Sequence, residues 1–289
     1  MIKQLTIIGL GLIGGSLGLA LKAKNKNLKI IGVARNSNQI EKAVRLGVID
    51  QGFIDPKKGV EDSDVVVIAT PIRAIEKVVL EIIPFVKPSC VITDTGSTKN
   101  EITSSDSLFF CQNINFVGSH PIAGSHLFGI EAAKKDLFAH KPCIITPLPS
   151  TSEESLKQIK EIWELAGAKI YFLTPLEHDE IFALISHLPH ILASALINIT
   201  NDLQKKFPIL PDIIAPSFRD MTRIAASNSY MWSDIVLSND EMILKSITLL
   251  KDKISYWEKI IKEKENIQIK EEFSNSKKWK EENNALDNS

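Results

Sequence analysis

Leu5-Thr6-Ile7-Ile8-Gly9-Leu10-Gly11-Leu12-Ile13-Gly14 runs from a short β-rich stretch into a turn spaced G-x-G-x-x-G. A helical pattern follows over Ile13 to Lys24 and a second strand pattern over Lys29 to Val33, so the turn lies inside one strand–helix–strand unit. In that setting each glycine has a task. Gly9 permits the tight turn, Gly11 lets backbone approach a pyrophosphate, and Gly14 lets the helix pack close to the strand. The helix N-terminus then faces the anion. A glycine-rich turn without a ligand is the alternative, and the flanking strand and helix favour a dinucleotide.

The end of the second strand speaks to which dinucleotide. An Asp or Glu there would bind a ribose 2'-hydroxyl and repel a 2'-phosphate. The residues are Gly32-Val33-Ala34-Arg35-Asn36-Ser37, with no acid and with a guanidinium able to bind phosphate through two bonds. This points to NADP, the alternative being that Arg35 is a solvated surface residue. The cofactor set read here is Gly9, Gly11, Leu12, Ile13, Gly14, Arg35, Ser37 and Thr70.

Beyond this unit, strand patterns at Val65 to Ala69, Val91 to Asp94, Asn115 to Val117 and Cys143 to Thr146 alternate with helical ones at Asn38 to Leu46 and Ile72 to Phe85. A further helix at Glu153 to Ala166 and strand at Lys169 to Phe172 follow the breaker cluster at Pro147 to Ser152, after which the pattern is helical. The expected fold is α/β, a Rossmann-type doubly wound parallel sheet followed by an all-α domain. Its divisions are 1–174 for the dinucleotide-binding domain, 175–264 for the helical domain and 265–289 for a disordered charged tail. In the last long helix Ile243, Ile247, Leu250, Ile254, Trp257 and Ile261 form one apolar seam, read as core or as a subunit interface.

The 289 residues include 34 basic and 35 acidic ones, a balance without the electrostatic footprint of a nucleic-acid binder. No uninterrupted apolar run reaches the roughly 18 residues of a membrane span, and Met1-Ile2-Lys3-Gln4 enters a strand at once rather than a signal peptide. Cys90, Cys111 and Cys143 are widely spaced and odd in number, which favours reduced thiols and a cytoplasmic location.

Candidate chemistry lies after the strands. Thr93 to Lys99 follows one strand at the edge where ligands of such sheets collect; Ser97 there could touch a substrate hydroxyl or cap a helix. Gly118 to His126 follows the next, and His120 is the strongest base candidate, a neutral imidazole suited to accept the proton that hydride removal from an alcohol carbon leaves behind. In the helical half, Pro189 interrupts the backbone ladder within Ser186-His187-Leu188-Pro189-His190. His187 and His190 share a face, as core histidines or as ligands; no metal site is expected, since no carboxylate or cysteine adjoins them. Arg219 and Arg223 flank Asp220, as an ion-pair network or a carboxylate-binding site.

Taken in order, the glycine turn, Asp94 to Lys99, His120 to Gly124, His187 to His190 and Phe218 to Arg223 resemble the prephenate and arogenate dehydrogenase family over about residues 5 to 262. The resemblance implies oxidative decarboxylation of a cyclohexadienyl acid and a homodimer formed through the helical domain. His120 would accept the ring-hydroxyl proton and Ser97 would orient that hydroxyl. Arg223 would bind the ring carboxylate, His190 would lie toward the side chain, and Ser125 and Trp232 would help enclose the pocket. Family members that use prephenate with NAD often carry Glu where His126 stands, paired with the residues matching Asp220 and Arg223. Together with the missing acid after the second strand, that departure resembles the NADP-preferring arogenate branch. The expectation is therefore an NADP-dependent arogenate dehydrogenase that takes a small-molecule substrate and neither nucleic acid nor membrane. The alternatives are a prephenate dehydrogenase using NAD or NADP and a β-hydroxyacid-dehydrogenase-like reductase.

Overall fold

The structure, a computed structural model, describes residues 2–103, 114–124 and 127–283. Five parallel strands, β1 (Gln4–Ile8), β2 (Lys29–Val33), β3 (Gln51–Phe53), β4 (Val65–Ile68) and β5 (Val91–Asp94), form a sheet in the order β3-β2-β1-β4-β5. Their continuous apolar runs are explained by burial on both faces. Leu5, Ile7, Val65 and Val67 pack into one core with Leu17 and Leu21 of α1 (Leu12–Lys24). The alternate residues Ile8, Val66 and Ile68 pack into the other with Ile75, Val79 and Ile82 of α4 (Ile72–Ile82). Between these two helices in sequence lie α2 (Ser37–Arg45) and α3 (Pro56–Val60). The strand order reverses between β1 and β4, so a crevice opens at their carboxyl ends.

Two strand expectations are corrected. The short edge strand β3 was not anticipated, because three half-exposed residues carry too little periodicity to read. The expected strand at Asn115 to Val117 contributes only an isolated bridge from Phe116 to Ile92. The chain then forms β6 (Gly118–Pro121), antiparallel to β7 (Pro142–Thr146), which pairs in parallel with β8 (Lys169–Phe172). His120 therefore sits on a strand, opposite Ile144, and not on a loop. Pro121, which cannot donate to a ladder, ends that edge strand.

After α5 (Asn100–Thr103) and α6 (Glu153–Leu165), the helical part opens at α7 (Pro175–Phe182), where Thr174 and Glu177 make a reciprocal capping box. One π turn, Ala183–His187, joins α7 to α8 (Leu188–Lys206). Pro189 supplies no N–H to the preceding turn, and the ladder widens just before it. The whole run Pro175–Lys206 is long and apolar enough to cross a bilayer by length and composition, although polar residues such as Ser186, His187 and His190 interrupt it. Short helices α9 (Pro216–Thr222) and α10 (Ser229–Ser238) lead to α11 (Asp240–Lys262).

The seam of α11 divides. Ile243 and Ile247 pack with Ala183, Met242, Ile191 and Val236, whereas Ile254 and Ile261 stay exposed. The described part of the tail expected to be disordered is instead a helix, α12 (Asn266–Glu282); residues 284–289 lie outside the described residues. It folds back on α11 through Trp257 against Phe273, ring centroids 5.2 Å apart, and an ion pair of Lys253 with Glu272 at 3.0 Å. Its polar composition hid this small apolar contact, and Lys277–Glu281 and Lys278–Glu282 support the last turns at i,i+4 spacing.

Candidate active site

The glycine turn has the shape its sequence demands. Gly9 has φ +101°, and a Cβ there would lie 2.4 Å from the Ala69 carbonyl oxygen. A Cβ on Gly14 would meet the Gly9 carbonyl at 2.1 Å, so only glycine allows α1 to approach β1 this closely. Gly11, the N-cap of α1, has open space where its Cβ would be, as an approaching pyrophosphate requires. Beside the turn, the Thr70 hydroxyl oxygen is buried and has no hydrogen-bond partner. A glycine cradle, a free helix N-terminus and a buried hydroxyl without a partner fit a dinucleotide.

Ala34 is buried and Arg35 exposed directly after β2. Asn36, next in the chain, caps α2 by accepting the Gln39 N–H at 3.0 Å. Ser37 is the first residue of that helix. No carboxylate pairs with Arg35 among the described residues.

The segment after β5 is tied down by Lys99, which is fully buried. Its Nζ donates to Asp94 Oδ2 at 2.6 Å, to the Gly96 carbonyl at 2.7 Å and to the Thr98 carbonyl at 3.1 Å, so all three protons find acceptors. Asp94 also accepts the N–H of Gly96 at 2.8 Å and of Ser119 at 3.2 Å. The Trp163 indole N–H donates to Ser119 Oγ at 3.0 Å. The Ser97 loop and the strand carrying His120 are thus fixed to one carboxylate. Ser97 is partly buried three residues ahead of α5, so it does not cap that helix. The cap comes from elsewhere: Asp179 accepts the N–H of Lys99 and of Asn100, each at 2.8 Å.

Asp179 leads to the imidazole pair at the centre of the site. His178 Nδ1 lies 2.7 Å from Asp179 Oδ1, and His178 Nε2 lies 2.8 Å from His120 Nδ1. Phe182 packs on both rings, at centroid separations of 4.5 Å from His178 and 5.0 Å from His120. Burial, followed by the nearby His178, Lys99 and His187, holds His120 well below the ordinary histidine range. Burial also lowers His178, against the opposing pull of Asp179. Both rings are therefore neutral near pH 7.

His178, Asp179 and Phe182 were missed in the sequence. The readable signal was Thr174-Pro175-Leu176-Glu177, a strong helix start that puts His178 and Asp179 in its first two turns beside Phe182 at i+4 from His178.

On the helical side, Asn239 Nδ2 donates to the Asp179 carbonyl at 2.8 Å and to His187 Nδ1 at 3.1 Å. His187 is buried, which pushes its pKa down to about 4. His190 stacks on Trp232 with centroids 3.5 Å apart, and its Nδ1 lies 3.0 Å from the Ser186 carbonyl. The Trp232 indole N–H is buried without a partner, a free donor in the region expected to enclose a substrate. Of the two readings of Arg219, Asp220 and Arg223, the ion-pair network is absent among the described residues; all three side chains are exposed. Three turns of short helix leave these side chains on the surface of a single chain, although Arg223 is near enough to His190 to disfavour its protonation. Ser125 and His126 lie outside the described residues.

Residues 17–172 match the prephenate dehydrogenase nucleotide-binding domain and residues 174–275 the prephenate dehydrogenase dimerization domain. Prephenate dehydrogenase of Bacillus subtilis is 37% identical over 84% of this chain, which spans 66% of that relative's length. The structure of prephenate dehydrogenase from Aquifex aeolicus in complex with hydroxyphenyl propionate and NAD+ superposes with a TM-score of 0.87 at 30% identity, covering 96% of each chain. Synechocystis arogenate dehydrogenase superposes with a TM-score of 0.80 at 30% identity, covering 91% of this chain and 93% of that one.

Proposed function

The chain belongs to the prephenate dehydrogenase family, and from that premise we propose that it converts L-arogenate to L-tyrosine by oxidative decarboxylation with NADP. The observation that carries the chemistry is His120, a neutral imidazole at the carboxyl edge of the sheet, held from behind by a buried partner. A pyridine nucleotide in the glycine cradle supplies the hydride acceptor. As hydride leaves the ring carbon, His120 takes the hydroxyl proton, and loss of carbon dioxide makes the ring aromatic. Aromatisation drives the step, so the residues here chiefly orient and accept a proton. Ser97 orients the hydroxyl, Arg223 binds the ring carboxylate, and His190, Ser125 and Trp232 enclose the substrate.

The NADP reading is supported by exposed Arg35, paired with no carboxylate among the described residues, beside the N-terminus of α2, with no acid at the end of β2. Arg35→Asp should raise KM for NADP at least tenfold relative to NAD, the loss of one charged phosphate contact costing about 1.5–3 kcal/mol; an unchanged ratio would overturn it. A second reading, prephenate as substrate, is favoured by the name of the Bacillus subtilis relative. Steady-state kinetics of both substrates with both cofactors separates the two. Faster reduction of NADP with L-arogenate is expected, and a reversed preference moves the assignment to prephenate.

The same reading includes a homodimer through the helical domain. It is supported by the exposed Ile197, Ile199 and Leu203 on α8 and by the dimerization-domain match. It also includes a cytoplasmic location, in keeping with the free thiols of Cys90 and Cys143.

A further inference from the structure

We propose that His178 and Asp179 are positioning residues that fix the tautomer of His120 and hold the proton His120 takes until the aromatic product reclaims it. This rests on the dehydrogenase reading above and goes beyond it by assigning a task to two fully buried groups that the reading leaves without one.

The tautomer follows from a chain of obligatory donors. Asp179 receives the N–H groups of Lys99 and Asn100, and as a carboxylate it only accepts. His178 Nδ1, 2.7 Å away, must therefore be the protonated nitrogen. In the neutral ring His178 Nε2 then carries a lone pair, so His120 Nδ1 at 2.8 Å must donate to it. Neutral His120 has one ring proton, and this bond uses it. His120 Nε2 is left with a bare lone pair, the form a general base needs.

The proton can be followed through the reaction. The substrate O–H bond breaks and its proton joins His120 Nε2 as the ring C–H bond gives hydride to the nicotinamide. The imidazolium so formed can pass its Nδ1 proton to His178 Nε2, where the positive charge lies beside the Asp179 carboxylate. When the ring C–CO2 bond breaks, its electron pair enters the ring and charge gathers on the ring oxygen. The proton returns along the same path to that oxygen, so the pair ends the cycle as it began. His178 and Asp179 are both fully buried, which suits storage of a proton and not its release to water. The other charged or titratable groups facing the pair are Asp94 and Lys99 from β5 and its loop, and His187 from the π turn.

The test has two arms on the full-length chain. The first is 15N NMR of protein labelled at the histidine ring nitrogens, with the His120 signals assigned from the spectrum of His120→Asn. A protonated Nδ1 and bare Nε2 on His120 are expected; the opposite tautomer overturns the proposal. The second compares His178→Phe with His178→Gln, both checked for NADP binding. His178→Phe keeps the stack on Phe182 and removes the acceptor, so kcat should fall by about 100-fold with KM changed little. His178→Gln offers an oxygen to the His120 N–H but cannot hold a proton. It should regain at least tenfold of that loss, with the acid limb of its kcat–pH profile displaced to lower pH. Equal damage in both variants with an unmoved limb would mean that His178 only fills space. If the unaltered enzyme binds NADP but oxidises neither arogenate nor prephenate, the dehydrogenase reading fails, while the NMR arm still reports the tautomer.

Discussion

His120→Asn should lower kcat by at least about 100-fold, the lower end of what a positioned general base contributes. The amide can still donate to His178 Nε2, which keeps the strand and the second ring in place, but it has no lone pair that can take a proton at neutral pH. KM should therefore change much less than kcat. The pH profile gives an independent check. Because burial and neighbouring positive charge depress His120, its reactive neutral form persists below the usual histidine value of about 6.5. In the unaltered enzyme kcat should stay level through pH 7 and fall only at pH values under 6.5, as the imidazole becomes protonated. His120→Asn should lack that fall. A variant that keeps both its turnover and its acid limb would remove His120 from the chemistry.

Lys99→Met should produce the largest loss of stability among single substitutions at the site, about 3–5 kcal/mol, because it strands the buried carboxylate of Asp94 without its cation. Methionine has nearly the length of lysine, so little of the loss comes from a cavity. For a chain of this size that corresponds to a fall in Tm of roughly 10 °C, measurable by calorimetry. The carbonyls of Gly96 and Thr98 lose a donor in the same change, so the Ser97 loop should loosen and kcat fall with stability. Asp94→Leu added to Lys99→Met should restore only part of the stability, since the N–H groups of Gly96 and Ser119 still need an acceptor. A melting temperature unchanged in Lys99→Met would show that the ion pair contributes nothing to the fold.

What could be read from sequence was whatever repeats at short range. The apolar runs at β1, β2, β4 and β5 and the glycine spacing between β1 and α1 are local signals with a single mechanical solution, and the structure keeps them within one residue. The capped helices beginning near Ser37 and Glu153 were legible for the same reason. The failures lie where pairing partners are distant. Nothing local tells Gly118–Pro121 to run antiparallel to Pro142–Thr146, and nothing in the lysine-rich tail announces that Phe273 will meet Trp257.

The site divides in the same manner. His120 stood out because prolines and glycines frame it, whereas the group behind it comes from a helix 58 residues later. Lys99 was legible only as the end of the segment after β5, because the carboxylate that buries it, Asp94, is recognisable as its partner only once the loop is folded. Asp179 caps a helix that is not its own, an arrangement with no sequence periodicity at all.

The π turn at Ala183–His187 bears on how this chain tolerates insertion and deletion. Such a turn holds one residue more than the α-helical ladder around it, and one residue of helix is about 100° of rotation. Deleting one residue between Ala183 and His187 would close the wide turn to an ordinary α-helical one and leave the helix after it in nearly the same rotation. His190 would still face Trp232, and the exposed Ile199 and Leu203, one turn apart, would keep their direction. The same deletion in the regular helix between His190 and Ile199 would instead turn the apolar side by about 100° against the substrate side, so the wide turn is where a lost codon is absorbed.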